Sequence, residues 1–142
     1  MTQSSPQRNV LFLCTGNSCR SQMAEAIVND QLSGTWKAFS AGAKPAGFVH
    51  PIALEVLEEI GITHQGWSKE VSQFNDQEFD LVMTVCDSAA ENCPIWLRSS
   101  QQAHISFVDP ASFEGGDQLI LTQFREVRDE IEEEITHFLT NY

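Results

Sequence analysis

The chain has 142 residues, with 20 Asp and Glu against 8 Lys and Arg, for a formal net charge of −12. Its composition, 42% hydrophobic and 20% charged, supports one buried core in one domain. The acidity argues against nucleic acid or an anionic membrane as partner, since both select basic faces, and no apolar run approaches the roughly 18 residues of a membrane span.

Residues 1–8 read as a flexible N-terminal tail, and residues 9–142 as a single α/β domain. Residues 1–9 are polar, and Val10-Leu11-Phe12-Leu13 is too short for a secretory core. The chain is therefore expected to be cytoplasmic. Residues 9–14 predict a short buried strand, followed by a loop to Arg20 and a helix over 21–32. A second strand is expected at 36–41. Pro51 suits the first turn of a helix, and Ile52, Val56 and Ile60 keep helical spacing until Gly61. Residues 80–86 (Asp-Leu-Val-Met-Thr-Val-Cys) and 104–108 read as two more strands, the latter ended by Asp109-Pro110.

The C-terminal segment carries the clearest pattern. Ile120, Phe124, Val127, Ile131, Ile135 and Phe138 form one apolar stripe at helical spacing. Residues 114–142 hold eight Asp and Glu against two Arg, a net of −6, which reads as a solvated helix face. Apolar strands alternating with helices predict a small parallel sheet of about four strands with helices on both faces. Ligands of such sheets bind beyond the carboxyl ends of the strands. Cys14 and Cys86 fall at two of those ends.

Between the first strand and helix lies Cys14-Thr15-Gly16-Asn17-Ser18-Cys19-Arg20-Ser21. Consecutive backbone N–H groups in such a loop can converge on one oxyanion. Thr15, Gly16, Asn17, Ser18, Cys19 and Arg20 are the expected oxyanion binders. Gly16 and Asn17 tolerate the positive φ that the curvature needs. The Arg20 fork matches two oxygens of a tetrahedral anion. The same donors stabilise a thiolate at Cys14, to which Ser21 can add a hydrogen bond. Cys19 reads as a small structural residue and an oxidation liability. With four cysteines and an expected reducing compartment, catalytic or metal-binding thiols are favoured over cross-links.

Val-Leu-Phe-Leu-Cys-Thr-Gly-Asn-Ser-Cys-Arg-Ser resembles the active-site loop of the low-molecular-weight protein tyrosine phosphatase superfamily. Asn-Ser-Cys-Arg-Ser-Gln-Met-Ala-Glu is more similar to the thioredoxin-coupled arsenate reductases, with Gln22 where the phosphatases usually carry Pro. The resemblance runs on through Asp109-Pro110-Ala111 and the last helix. It implies an enzyme of arsenic detoxification. Cys14 would be the nucleophile, and Cys86 and Cys93 the redox pair that resolves it. Asp109 would be the acid for the departing oxygen, although an Asp-Pro pair also starts turns. No tightly bound cofactor is implied. Arsenate would be the substrate and thioredoxin the reductant, with glutaredoxin and glutathione as the alternative route, and the chain is read as a monomer. If residues 87–93 are helical, Cα atoms seven apart lie about 10.5 Å apart. A disulfide needs roughly 7 Å or less, so a Cys86–Cys93 bond would require residues 87–97 to unwind and become mobile.

The resemblance also implies a potassium ion beside the loop. Asn17, Glu25 and Ser40 match its ligand pattern, while residues 63–70, where the remaining ligands would fall, depart from it and carry Lys69. Structural roles for these residues are the alternative. The four histidines show no metal-ligand spacing. Two other functions remain open: a low-molecular-weight tyrosine phosphatase, with weak phosphatase side activity expected in either case, and a non-enzymatic thiol sensor of As(III) or a soft metal.

Overall fold

The computed structural model describes residues 7–87, 96 and 100–142. Cys93, and the helix and redox-linked unwinding expected around it, lie outside the described residues.

Four strands form one parallel sheet in the order β2-β1-β3-β4: β1 Arg8–Cys14, β2 Trp36–Gly42, β3 Leu81–Thr84 and β4 Gln101–His104. Strand β1 is central, and Val10, Leu11, Phe12 and Leu13 are fully buried, as a strand covered on both faces requires. Alternation along β1 divides the core. Val10 and Phe12 face a large cluster with the helices α1 Arg20–Gln31, α2 Pro51–Glu59 and α3 Asp117–Thr140. Leu11 and Leu13 face a smaller cluster with Phe74, Phe79 and Trp96. Among the described residues, the three α-helices share the first face. On the second, a 3-10 turn at Val71–Phe74 and edge-packed rings supply the cover. Trp96 is buried there.

The stripe on α3 is as expected: Phe124, Val127, Ile131 and Ile135 are buried, and Ile120 and Phe138 pack at the edge. Arg128 on the same helix donates to Val56 O and Glu59 Oε1 at 2.9 and 2.7 Å, tying α3 to α2.

Strand β3 is shorter than expected, Leu81–Thr84 against residues 80–86, and two further boundaries differ. Strand β1 starts at Arg8, the last residue read as tail. Its N–H donates to Thr35 O at 2.9 Å, and its guanidinium lies 4.3 Å from the Trp36 ring centroid. The fourth strand is Gln101–His104, not residues 104–108. Among the described residues it pairs only with β3, as an edge strand, and carries exposed polar side chains. The apolar residues that follow bury Phe107 over the site without joining the ladder.

The strand order reverses between β1 and β3, which opens a crevice at their carboxyl ends. Cys14 ends β1. Val85, just past β3, donates its N–H to Leu13 O at 2.8 Å, so Cys86 follows β3 at the same edge of the sheet as Cys14.

Candidate active site

The loop from Cys14 to Arg20 is held by its carbonyls. Cys14 O, Thr15 O, Gly16 O and Ser18 O accept from the N–H groups of Ala43, Lys44, Ala46 and His50 at 2.9–3.3 Å. Gly16 O also accepts from Ser68 Oγ, Asn17 O from Gln22 Nε2, and Cys19 O from Met23 N–H in the first turn of α1. Successive carbonyls thus point away from the loop centre. Among the described residues there are no cis peptides, and across a trans peptide the N–H opposes the preceding C=O. The N–H groups of Thr15 through Arg20 therefore face inward, as an anion cradle demands.

Asn17 makes the turn possible. It is the one non-glycine residue with positive φ, +49°, among the described residues. Gly16 does not adopt positive φ, so only half of the expected pair carries the curvature. Asn17 Oδ1 accepts from Lys69 N–H at 2.8 Å and Gln22 Nε2 at 2.9 Å. That fixes its amide, whose Nδ2 donates to Ser21 Oγ at 2.8 Å. Ser21 Oγ lies 2.8 Å from Cys14 Sγ.

Arg20 is buried, and one guanidinium nitrogen donates to Phe107 O at 3.2 Å. The other terminal nitrogen is 3.8 Å from Asp109 Oδ2. Asp109 starts a turn and also faces the loop. Oδ1 accepts from Ala111 N–H at 3.0 Å and starts a turn, while Oδ2 faces Arg20. A cavity of about 620 Å³ opens over Cys14, lined by Arg20, Phe48, His50, Asp109 and Phe113 among others.

The remaining thiols separate by environment. Cys14 and Cys19 are free, and Cys86 is fully buried and disulfide-bonded. Burial and the nearby Asp109 carboxylate push the Cys19 thiol up to about 12. A thiol held protonated at neutral pH is a weaker nucleophile than a thiolate, which disfavours oxidation of Cys19.

Residues 9–142 match the low molecular weight phosphotyrosine protein phosphatase family. The arsenate reductase of Halalkalibacterium halodurans is 44% identical over 133 residues, covering 91% of this chain and 93% of the relative. The chain belongs to the low molecular weight phosphatase family, among its arsenate reductases. A solved arsenate reductase from Archaeoglobus fulgidus superposes with a TM-score of 0.78 at 31% identity, covering 92% of this chain and 98% of that one. A thioredoxin-dependent arsenate reductase from Corynebacterium glutamicum superposes with a TM-score of 0.67 at 26% identity, covering 99% of this chain and 66% of that one.

For a member of this family, the potassium ion expected beside the loop does not fit. Lys69 Nζ stands beside Glu25, one of the ion's implied ligands: it donates to Trp67 O at 2.7 Å and lies 3.8 Å from Glu25 Oε1. Glu25 Oε1 also accepts from Ser40 Oγ at 2.9 Å. Burial raises the Glu25 carboxyl while Lys69 and Ser40 lower it, and burial lowers the Lys69 ammonium while Glu25 raises it. Among the described residues, no group of three His, Cys, Asp or Glu could hold a metal. No described helix is long and apolar enough to cross a membrane.

Several positioning residues of this arsenate reductase were not visible in its sequence. Gly42 ends β2 against the loop, where a Cβ would lie 2.6 Å from Thr15 O and 2.9 Å from Asn17 N. Gln22, noted only as the residue replacing Pro, binds Asn17 and donates to Trp67 O at 2.9 Å. Its Oε1 is 2.7 Å from His64 Nε2. The strand-end glycine and that Gln were the available signals.

Proposed function

We propose that the chain reduces arsenate to arsenite through three thiols, with thioredoxin as final reductant. Arsenate enters the cradle with Arg20 across two of its oxygens. Cys14 Sγ attacks arsenic, and Asp109 protonates the oxygen that departs as water. Cys86 then attacks Cys14 Sγ. The pair of the As–S bond passes to arsenic, which leaves as As(III), and a Cys14–Cys86 disulfide remains. Cys93 attacks Cys86, freeing Cys14 and leaving a Cys86–Cys93 disulfide. A thioredoxin dithiol returns the two electrons.

The carrying observation is the place of Cys86: a buried cysteine one residue past Val85, whose N–H is bonded to the residue before Cys14. A phosphatase acting through Cys14 alone needs no second thiol there. A free Cys14 with a disulfide-bonded Cys86 suits the state that awaits thioredoxin.

The cradle itself does not separate arsenate from phosphate, which share charge and shape, so weak hydrolysis of p-nitrophenyl phosphate is expected. The test is Cys86→Ser, assayed for NADPH-coupled arsenate turnover with thioredoxin and, separately, with glutaredoxin and glutathione. Arsenate turnover should vanish while p-nitrophenyl phosphate hydrolysis survives. Sustained turnover by Cys86→Ser would overturn the scheme, and stoichiometric As(III) binding without turnover by the native chain would favour a sensor. Native turnover with glutaredoxin but not thioredoxin would overturn the choice of reductant.

A further inference from the structure

Glu25 lies on α1 with its carboxylate against the sheet, one turn beyond Ser21. A buried carboxylate needs a counter-charge or it distorts or expels its surroundings. Its nearby basic groups are His64 and Lys69. His64 Nε2 is 3.8 Å from Glu25 Oε2, but its short contact is to Gln22 Oε1. The Gln22 amide nitrogen is committed to Asn17 and Trp67, so its oxygen accepts and His64 Nε2 donates. The charge that answers Glu25 is thus the Lys69 ammonium.

Lys69 is itself buried, at 6% exposure. Its ammonium is capped by Trp67 O and lies 4.9 Å from the Trp67 ring centroid, which screens it from water. Its backbone is pinned at both ends of the residue. Its N–H donates to Asn17 Oδ1, and its carbonyl accepts from Gly42 N–H at 2.8 Å. The side chain that neutralises Glu25 therefore belongs to the residue that orients Asn17.

We infer that Lys69 is a built-in monovalent cation: a positioning residue whose tethered ammonium replaces a dissociable metal ion and holds the oxyanion loop ready through Asn17. A tethered charge is present at unit occupancy and loses no translational freedom on binding. The loop of this chain is accordingly independent of the salt around it. Lys69→Ala would remove the ammonium and leave Glu25, Ser40 Oγ and Trp67 O around a space that a small cation can enter.

The test compares the native chain, Lys69→Ala and Lys69→Ala/Glu25→Gln in potassium chloride and in N-methylglucamine chloride at equal ionic strength. Thermal midpoint and steady-state arsenate turnover are both read. The native chain should show the same midpoint and the same kcat in both salts. Lys69→Ala should lose on the order of 10 °C in N-methylglucamine, as for a broken buried pair. It should recover at least half of that loss in potassium, with kcat about tenfold down in the first salt and rising in the second. The double variant, with a neutral site, should not respond to potassium. If Lys69→Ala alone fails to fold, a folded, salt-indifferent double variant still supports the inference, and a double variant that also fails to fold overturns it. A native chain that gains from potassium, or a Lys69→Ala chain alike in both salts, overturns it as well. Only the kinetic arm rests on the proposed reaction. A thermal response without arsenate turnover would remove the reaction and leave the cation reading standing.

Discussion

Ser21 Oγ bridges Cys14 Sγ and Asn17 Nδ2. It is 2.8 Å from Cys14 Sγ and accepts from Asn17 Nδ2, which leaves its own hydrogen available to the sulfur. The amide of Asn17 is oriented in turn by Lys69 N–H and Gln22 Nε2. A residue 52 positions away along the chain thus sets the direction of the hydrogen bond that meets the nucleophile.

Ser21→Ala removes that donor without adding bulk. A hydrogen bond to a charged group contributes about 1.5–3 kcal/mol, which corresponds to roughly 10- to 100-fold in rate. Alkylation of Cys14 by iodoacetamide at neutral pH and kcat/KM for arsenate should both fall within that range. An unchanged alkylation rate would show that Ser21 does not act on the sulfur.

Gly42→Ala places a methyl group 2.6 Å from Thr15 O, a backbone atom that cannot move without opening the cradle. Overpacking of this kind costs about 1–3 kcal/mol. Denaturant unfolding should show that loss, and protection of Cys14 from alkylation by arsenate or phosphate should weaken in parallel. Gly34→Ala is the control. A Cβ there meets nothing within 4 Å, and stability should stay near native. Equal losses in the two variants would argue against a steric origin.

His50 sets a pH dependence. Its Nδ1 accepts from Ile52 N–H at 3.1 Å at the start of α2, a role that only an unprotonated Nδ1 can fill. Burial lowers its pKa from 6.5, and the Asp109 carboxylate partly opposes the shift. The folded chain therefore binds its proton less readily than the unfolded chain. Stability from His50 is complete above about pH 6.5 and is lost as the pH falls through the lower folded value. The loss of one helix cap is about 1 kcal/mol. His50→Asn keeps an acceptor but does not titrate, so thermal midpoints measured from pH 8 to pH 5 should decline less in this variant. Parallel curves would place the pH response elsewhere, for instance at His64, which burial also shifts downward.

What could be read in advance was local. The run from Val10 to Ser21 holds a buried strand, a tight loop and a helix start within a dozen neighbouring residues. The cradle and its thiol were therefore legible from adjacent residue types. The α3 stripe was legible because helical spacing encodes one face directly. β4 was misplaced because an edge strand needs no apolar pattern. Phe107 after it is apolar for another reason, its burial over Arg20. The dual role of Asp109 also needed the fold, since one oxygen answers a neighbour in sequence and the other answers Arg20.

The sequence alone determined the chemistry: which thiol and which guanidinium meet in one loop, and which family that loop belongs to, because those residues are neighbours along the chain. Tertiary structure decided how the loop is held and what neutralises its surroundings. The carbonyl anchors from residues 43–50, the close pass of Gly42 and the Lys69 ammonium beside Glu25 join segments far apart in the chain. Hydrogen bonds and charge pairs of that kind follow from packing in space, and no local periodicity encodes them.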